Sequence, residues 1–286
     1  MKIITYFIQF LVIKLLFSVY GLMGLKKASS ISGKIFKIVG PLFRSKKIIY
    51  SNIKKAIPDL SNEDMKILEN TMWENYGRIL SEYVFLKDFR NDKLNNLIKI
   101  EGLNVIDDIK KKGKPVIFIS GHFSNFELMA MYIEKSGIDV AAVYRPLNNF
   151  FLNKTMVKIR KNYICKKQIK KGISGTKDLL QNFKKGVSIA LMIDQRVSEG
   201  IVSKFFNSDA LTTTIPAQFV KKFNCEIIPV YIERKNEIEF VIKFQNPLIF
   251  EKNDSIEKIT LNLNHVLEKM ITTNPPQWIW THNRWK

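Results

Sequence analysis

The chain has 286 residues, 46% of them hydrophobic and 12% aromatic, which is enough apolar material for a real core and excludes a disordered chain. Lysine and arginine number 46 against 26 acidic residues, a formal net charge of +20. That excess predicts attraction to polyanions: nucleic acid, an anionic membrane surface or an acidic protein partner.

The first element narrows the choice. "IITYFIQFLVIKLLFSVYGLMGL" (3–25) is 23 residues with one charge, Lys14. At about 1.5 Å per residue, such a helix would just cross a bilayer core of roughly 30 Å. No small-residue cleavage site follows; instead come Lys26, Lys27, Lys34, Lys37, Arg44, Lys46 and Lys47. The apolar stretch is too long for a signal peptide, and a positive flank on its C-terminal side places the rest of the chain in the cytoplasm. A lysine near the centre of a span costs about 3 kcal/mol, so a helix lying in the interface stays open beside a true span. Either way residues 1–25 are expected to anchor the chain to a membrane without supplying a catalytic group, and nucleic acid recedes as a partner.

Residues 26–286 carry no repeat, low-complexity tract or long linker and read as a single domain, with 26–97 as its helical leading segment. Residues 62–86 show apolar positions at helical spacing, with Ser61 available as N-cap. After "IKIEG" (98–102) short apolar runs alternate with amphipathic stretches. The runs are 115–120, 139–144, 187–193 and 225–232; the helix-like stretches are 125–136, 149–163, 174–185 and 212–223. This alternation predicts an α/β fold, a mostly parallel or mixed sheet flanked by helices. Residues 237–244 alternate more strictly and are expected to form an edge strand, and 255–272 a last amphipathic helix. Cys165 and Cys225 have neither metal nor redox spacing and read as free thiols of a reducing compartment.

Ligands of such sheets gather beyond the C-terminal strand ends, and "GHFSNFE" (121–127) follows the run 115–120 directly. Within one regular helix His122 and Glu127 would point about 140° apart. They can meet if His122 lies in the turn and Glu127 in the first turns of the following helix. Gly121 offers freedom for that turn, and Ser124 or Asn125 can cap the helix. A glutamate accepting from one imidazole nitrogen would leave the other as a base. Of the remaining histidines, His265 reads as structural. His282, among Trp278, Trp280 and Trp285, reads as part of a membrane-interface tail. Phe123 and Phe126 read as core.

These residues carry a resemblance. "GHFSNFE" is similar to the H-x4-D/E block of glycerolipid-type acyltransferases and, more closely, to the G-H-x-x-N-x-E form of the lipid A biosynthesis (lauroyl/myristoyl) acyltransferases. "AVYRPLNNFFLNK" (142–154), "GISGTKDLLQNFKKGVSIALMIDQR" (172–196) and "PPQWIWTHNRWK" (275–286) resemble later blocks of that family in the same order. Two departures stand out: Arg196 replaces a frequent second acidic residue after Asp194-Gln195, and 205–230 lacks the glycines usual after the aromatic pair. The resemblance implies acyl transfer from a thioester, on acyl carrier protein or coenzyme A, to a hydroxyl of a lipid A precursor at the bacterial inner membrane. It calls for no metal or cofactor. His122 is the implied general base and Glu127 its orienting partner. Asn125 is a substrate contact or only a helix cap, and Arg145 a phosphate or oxyanion ligand. Asp194 is expected to orient Arg145 or Arg196 rather than to do chemistry. The alternatives are acylation of a lysophospholipid or another glycolipid, or a basic membrane-binding protein without catalysis.

Overall fold

The computed structural model describes residues 2–286. The chain opens with α1 (Lys2–Met23), α2 (Leu25–Val39), α3 (Lys46–Ala56), α4 (Asn62–Glu82) and α5 (Leu86–Arg90). The Ser61 hydroxyl caps α4 by accepting from the Asp64 amide. The α/β part then runs β1 (Ile98–Glu101), α6 (Leu103–Lys112), β2 (Ile117–Ser120), α7 (Glu127–Lys135), β3 (Val140–Tyr144), α8 (Phe150–Ile159), β4 (Lys167–Lys170), α9 (Ile173–Lys184) and β5 (Ser188–Met192). It closes with the hairpin β6 (Ile201–Phe205) and β7 (Ser208–Thr212), α10 (Ile215–Phe223), β8 (Ile227–Arg234), β9 (Phe240–Phe244) and α11 (Ile256–Thr273).

Seven strands make a mixed sheet in the order β1-β9-β8-β2-β5-β3-β4. Every neighbouring pair is parallel except β8 with β9. The all-apolar runs occupy the middle of the sheet, where both faces are covered and alternation is lost; every residue of β2 and β8 is buried. The expected edge strand 237–244 lies one place in, because β1 pairs along its outer side. Residues 201–212, for most of which the sequence suggests no element, fold as a two-stranded hairpin, and α10 starts three residues later than expected. Its turn is Phe206-Asn207, both left-handed at φ 47° and 56°, where glycine would relieve the strain.

The C-terminal tail is the larger correction. Trp278 and Trp280 are 1% and 0% exposed, and Trp285 and Arg284 are also buried. The Arg284 guanidinium donates to the Leu211 carbonyl and the Thr212 hydroxyl, fastening the tail to β7. These tryptophans are core, packed against the strand ends, and not a membrane belt. His265 is exposed on α11.

Candidate active site

β2 and β5 are parallel neighbours in a register that pairs Ser120 with Met192. Two residues further along each strand the same register sets His122 opposite Asp194. The His122 amide donates to Asp194 Oδ2 at 2.9 Å, and its Nδ1 lies 2.8 Å from Oδ1. Trp278 Nε1 donates to Oδ2 at 2.9 Å. The carboxylate therefore accepts three hydrogen bonds while 1% exposed. Burial alone would raise its pKa, but the His122 charge and these donors win and hold it down at about 2. An ionised Asp194 fixes the Nδ1–H tautomer and leaves the His122 Nε2 lone pair without a partner among the described residues.

Asp194 thus orients the histidine, not an arginine. Glu127, the residue expected there, is held elsewhere. It opens α7, and its Oε1 accepts from Arg160 Nε and an Arg160 terminal nitrogen at 2.9 and 2.6 Å and from the Tyr83 hydroxyl. Arg160 begins a π-helical turn, Arg160–Ile164, directly after α8, an irregularity frequent at functional sites. Burial opposes the Arg160 charge, but the Glu127 carboxylate outweighs it and raises its pKa. For His122, burial favours the neutral ring, yet Asp194, and less strongly Glu127, raise its pKa above the ordinary 6.5.

The turn between these groups is built tightly. A Cβ on Gly121 would lie 2.8 Å from the Phe123 ring and 3.2 Å from Asp194 Cβ. Glycine is needed here for close approach and not for a positive φ, which Gly121 does not adopt. Ser124 takes the left-handed conformation, φ 42°, with its amide on the Gln277 carbonyl. Neither Ser124 nor Asn125 caps α7 through its side chain. Asn125 is buried and donates to Glu82 Oε2, whose carboxylate is gripped by both terminal nitrogens of Arg234. That network locks the turn to α4 and β8.

His122, Glu127 and Arg160 line one cavity of about 470 Å³. Its floor is one face of the sheet: Phe118 and Ser120 of β2, Ala142 and Tyr144 of β3, Ala190 and Met192 of β5. Strand periodicity puts these even-numbered residues on the same side, and Met129, Ala130 and Ile133 of α7 cover them. Phe126 also lines the cavity, its ring 4.8 Å from the imidazole, whereas Phe123 is core. At the rim stand Arg145 and Lys171. Arg145 has no acidic partner among the described residues, and burial, then the Arg145 charge, lowers the Lys171 pKa. Asn125 and Arg196 do not line the cavity. Arg196 meets the tail instead: its amide donates to His282 Nε2 and its Nε to the Lys286 carbonyl. Burial holds the His282 pKa down at about 4, so this ring accepts as a neutral imidazole.

Residue reading missed Arg160, Tyr83, Lys171 and the polar role of Trp278. Their signal is placement: Arg160 lies 33 residues from Glu127, and Tyr83 44.

The family described as bacterial lipid A biosynthesis acyltransferase matches residues 1–286. The chain is 24% identical over 254 residues to the lipid A biosynthesis lauroyltransferase of Escherichia coli (strain K12), covering 85% of this chain and 79% of that protein. It is 22% identical over 250 residues to the lipid A biosynthesis palmitoleoyltransferase of the same organism, covering 86% and 80%. To the lipid A biosynthesis acyltransferase 2 of Shigella flexneri it is 21% identical over 258 residues, covering 86% and 80%.

Proposed function

Because the chain belongs to the bacterial lipid A biosynthesis acyltransferase family and is an acyltransferase, we propose that it moves a fatty acyl chain from an acyl carrier protein thioester to a hydroxyl of a lipid A precursor at the cytoplasmic face of the inner membrane. The observation that carries this reading is the His122–Asp194 pair standing beside Arg160 at an apolar cavity. The acyl chain lies on the sheet floor under α7. His122 Nε2 takes the proton of the acceptor hydroxyl as its oxygen attacks the thioester carbonyl carbon, and Asp194 stabilises the imidazolium that forms. Arg160, held in place by Glu127 and Tyr83, donates to the oxyanion. Collapse of the tetrahedral intermediate breaks the C–S bond, and the imidazolium returns its proton to the leaving sulfur, giving ester and free thiol.

In this reading Glu127 is a positioning residue acting through Arg160. Arg145 and Lys171 place two cations at the rim, suited to a phosphate on donor or acceptor. The net charge of +20 suits an acidic carrier protein and an anionic acceptor. The test is incubation of the full-length protein with an acyl carrier protein thioester and a lipid A precursor. Mass spectrometry should show the acceptor gaining one acyl mass as free carrier thiol appears in equal amount. Thiol release without an acylated acceptor would overturn the assignment.

A further inference from the structure

Helix α1 is the described helix long and apolar enough to cross a membrane, but its packing says something different about its pose. Near its start, Asn149, the N-cap of α8, donates Nδ2 to the Tyr6 carbonyl at 2.8 Å and to Gln9 Oε1 at 3.2 Å. The Phe151 ring sits 5.4 Å from Phe7 and 5.8 Å from Phe10. Near its end, Tyr20 is buried and its hydroxyl donates to Ser32 of α2 at 3.0 Å. About 20 Å of helix separates these two attachments. Between them the less exposed residues Tyr6, Phe10, Ile13, Leu16, Phe17 and Tyr20 recur every three or four positions, with Leu16 beside Phe17. At about 100° per residue they fall within an arc of about 120°, a seam along the body of the protein.

A helix crossing a bilayer would carry that seam, and what is packed on it, through the hydrocarbon. One end of the seam is residue 149, next to the cavity rim at Leu147 and Asn148, with Arg145 and Lys171 on the same rim. Charged groups at that depth cost several kcal/mol each. A helix lying flat avoids this. The face opposite the seam presents Ile4, Ile8, Leu11, Leu15 and Leu22, all exposed. Lys14 falls at the flank of the seam on the same projection, where its amine reaches headgroups and no longer burdens a span. α2 supplies an independent sign of the same partner. Ile31, Ile35 and Ile38 repeat at one helical face, Leu42 follows in the turn after the helix, Ile38 and Leu42 are 79% and 84% exposed, and Lys27 and Lys34 are exposed beside them. A basic-flanked apolar stripe fits an anionic lipid surface.

We infer that α1 lies in the plane of an anionic phospholipid bilayer, seam toward the protein and outer face in the acyl boundary, so that Asn149 holds the cavity rim at the membrane surface. This deepens the functional reading, on which its choice of lipid acceptor rests. The experiment uses full-length protein with Cys225→Ser, Cys165 being buried, and single spin labels at Ile4→Cys, Leu11→Cys, Leu15→Cys or Leu22→Cys. In vesicles of phosphatidylethanolamine and phosphatidylglycerol, oxygen-accessibility depths should agree within a few ångströms at a shallow level. A profile with Leu11 and Leu15 about 10 Å deeper than the two ends would show a span and overturn the inference. Lys2→Cys in bacterial spheroplasts gives a second measure: an impermeant thiol reagent should label it only after the membrane is opened, and labelling from outside would contradict the flat pose. Acyl transfer is assayed on the same labelled proteins. A flat profile without transfer would break the functional reading and support this one, while a stepped profile with transfer would break this one alone.

Discussion

Two carboxylates flank the histidine turn, and they differ in what the chain gives them to hold. Glu127 is five positions from His122 and turns to a guanidinium; Asp194 is 72 positions away and binds the imidazole. Sequence distance favours Glu127, but sheet register decides for Asp194, because parallel neighbours set the residues just past their ends side by side. The result is two separate devices at one cavity. In the proposed mechanism Asp194 with Trp278 prepares a base, and Glu127 with Tyr83 prepares a fixed positive charge. A single carboxylate placed between imidazole and guanidinium would weaken its hold on each, whereas two allow both to be fully engaged.

The largest expected effect is at the shared centre. His122→Ala should lower kcat by about 10²–10⁴ in a protein that folds and binds membrane normally, since the Glu127 carboxylate at the same cavity is engaged by Arg160 and Tyr83. Next comes the guanidinium. Arg160→Ala should cost about 10²–10³ in kcat, as for loss of an oxyanion donor. Glu127→Gln should cost less, and the double variant about as much as Arg160→Ala alone, because the two act as a unit. Additive losses in steady-state kinetics would mean that Glu127 acts through something other than Arg160. Trp278→Phe removes one of three donors to Asp194 and should cost about tenfold in kcat, near the value of one hydrogen bond to a charged group. That loss should vanish in an Asp194→Asn background.

The Asp194 side also carries a stability consequence. Its pKa falls from the ordinary 3.8 to about 2 on folding. A depressed carboxylate stabilises the fold above its unfolded pKa, and the contribution is lost as pH falls from about 4 toward 2. His122, raised on folding, contributes below its unfolded value and loses that contribution as pH climbs through its folded one. Wild type should therefore lose thermal stability more steeply than Asp194→Asn between about pH 4 and pH 2, read as Tm against pH.

The parts legible in the sequence were those whose burial is one-sided or complete. The runs containing β2, β3, β5 and β8 stand out because strands inside the sheet are mostly apolar on both faces. β4, "KQIK", buries only Ile169 and leaves no such trace at the sheet edge. The hairpin was hidden because its turn uses Phe206-Asn207, without glycine. The block His122 to Glu127 does follow a strand end, as its position after the apolar run 115–120 suggests, and Arg145 directly follows β3. The partner of His122 was not legible, because the sequence marks Asp194 as ending a strand but does not say that β5 lies next to β2. The tryptophan tail misled for a related reason: aromatics with basic neighbours suit an interface belt and a core equally, and only the closure of 275–286 over the strand ends separates them.

The most direct test of the two-device account is the titration of His122 itself, followed by ¹⁵N NMR of histidine-labelled protein, which has three histidines to assign. Wild type should show an Nδ1–H tautomer and a pKa above 6.5. Asp194→Asn should lower that pKa well below the wild-type value, since burial then acts on the ring with less to oppose it, and should disturb the tautomer. Glu127→Gln should lower it only slightly and leave the tautomer intact. If Glu127→Gln instead produced the larger fall and the loss of the Nδ1–H form, the imidazole would belong to Glu127, and the division of labour argued here would be wrong.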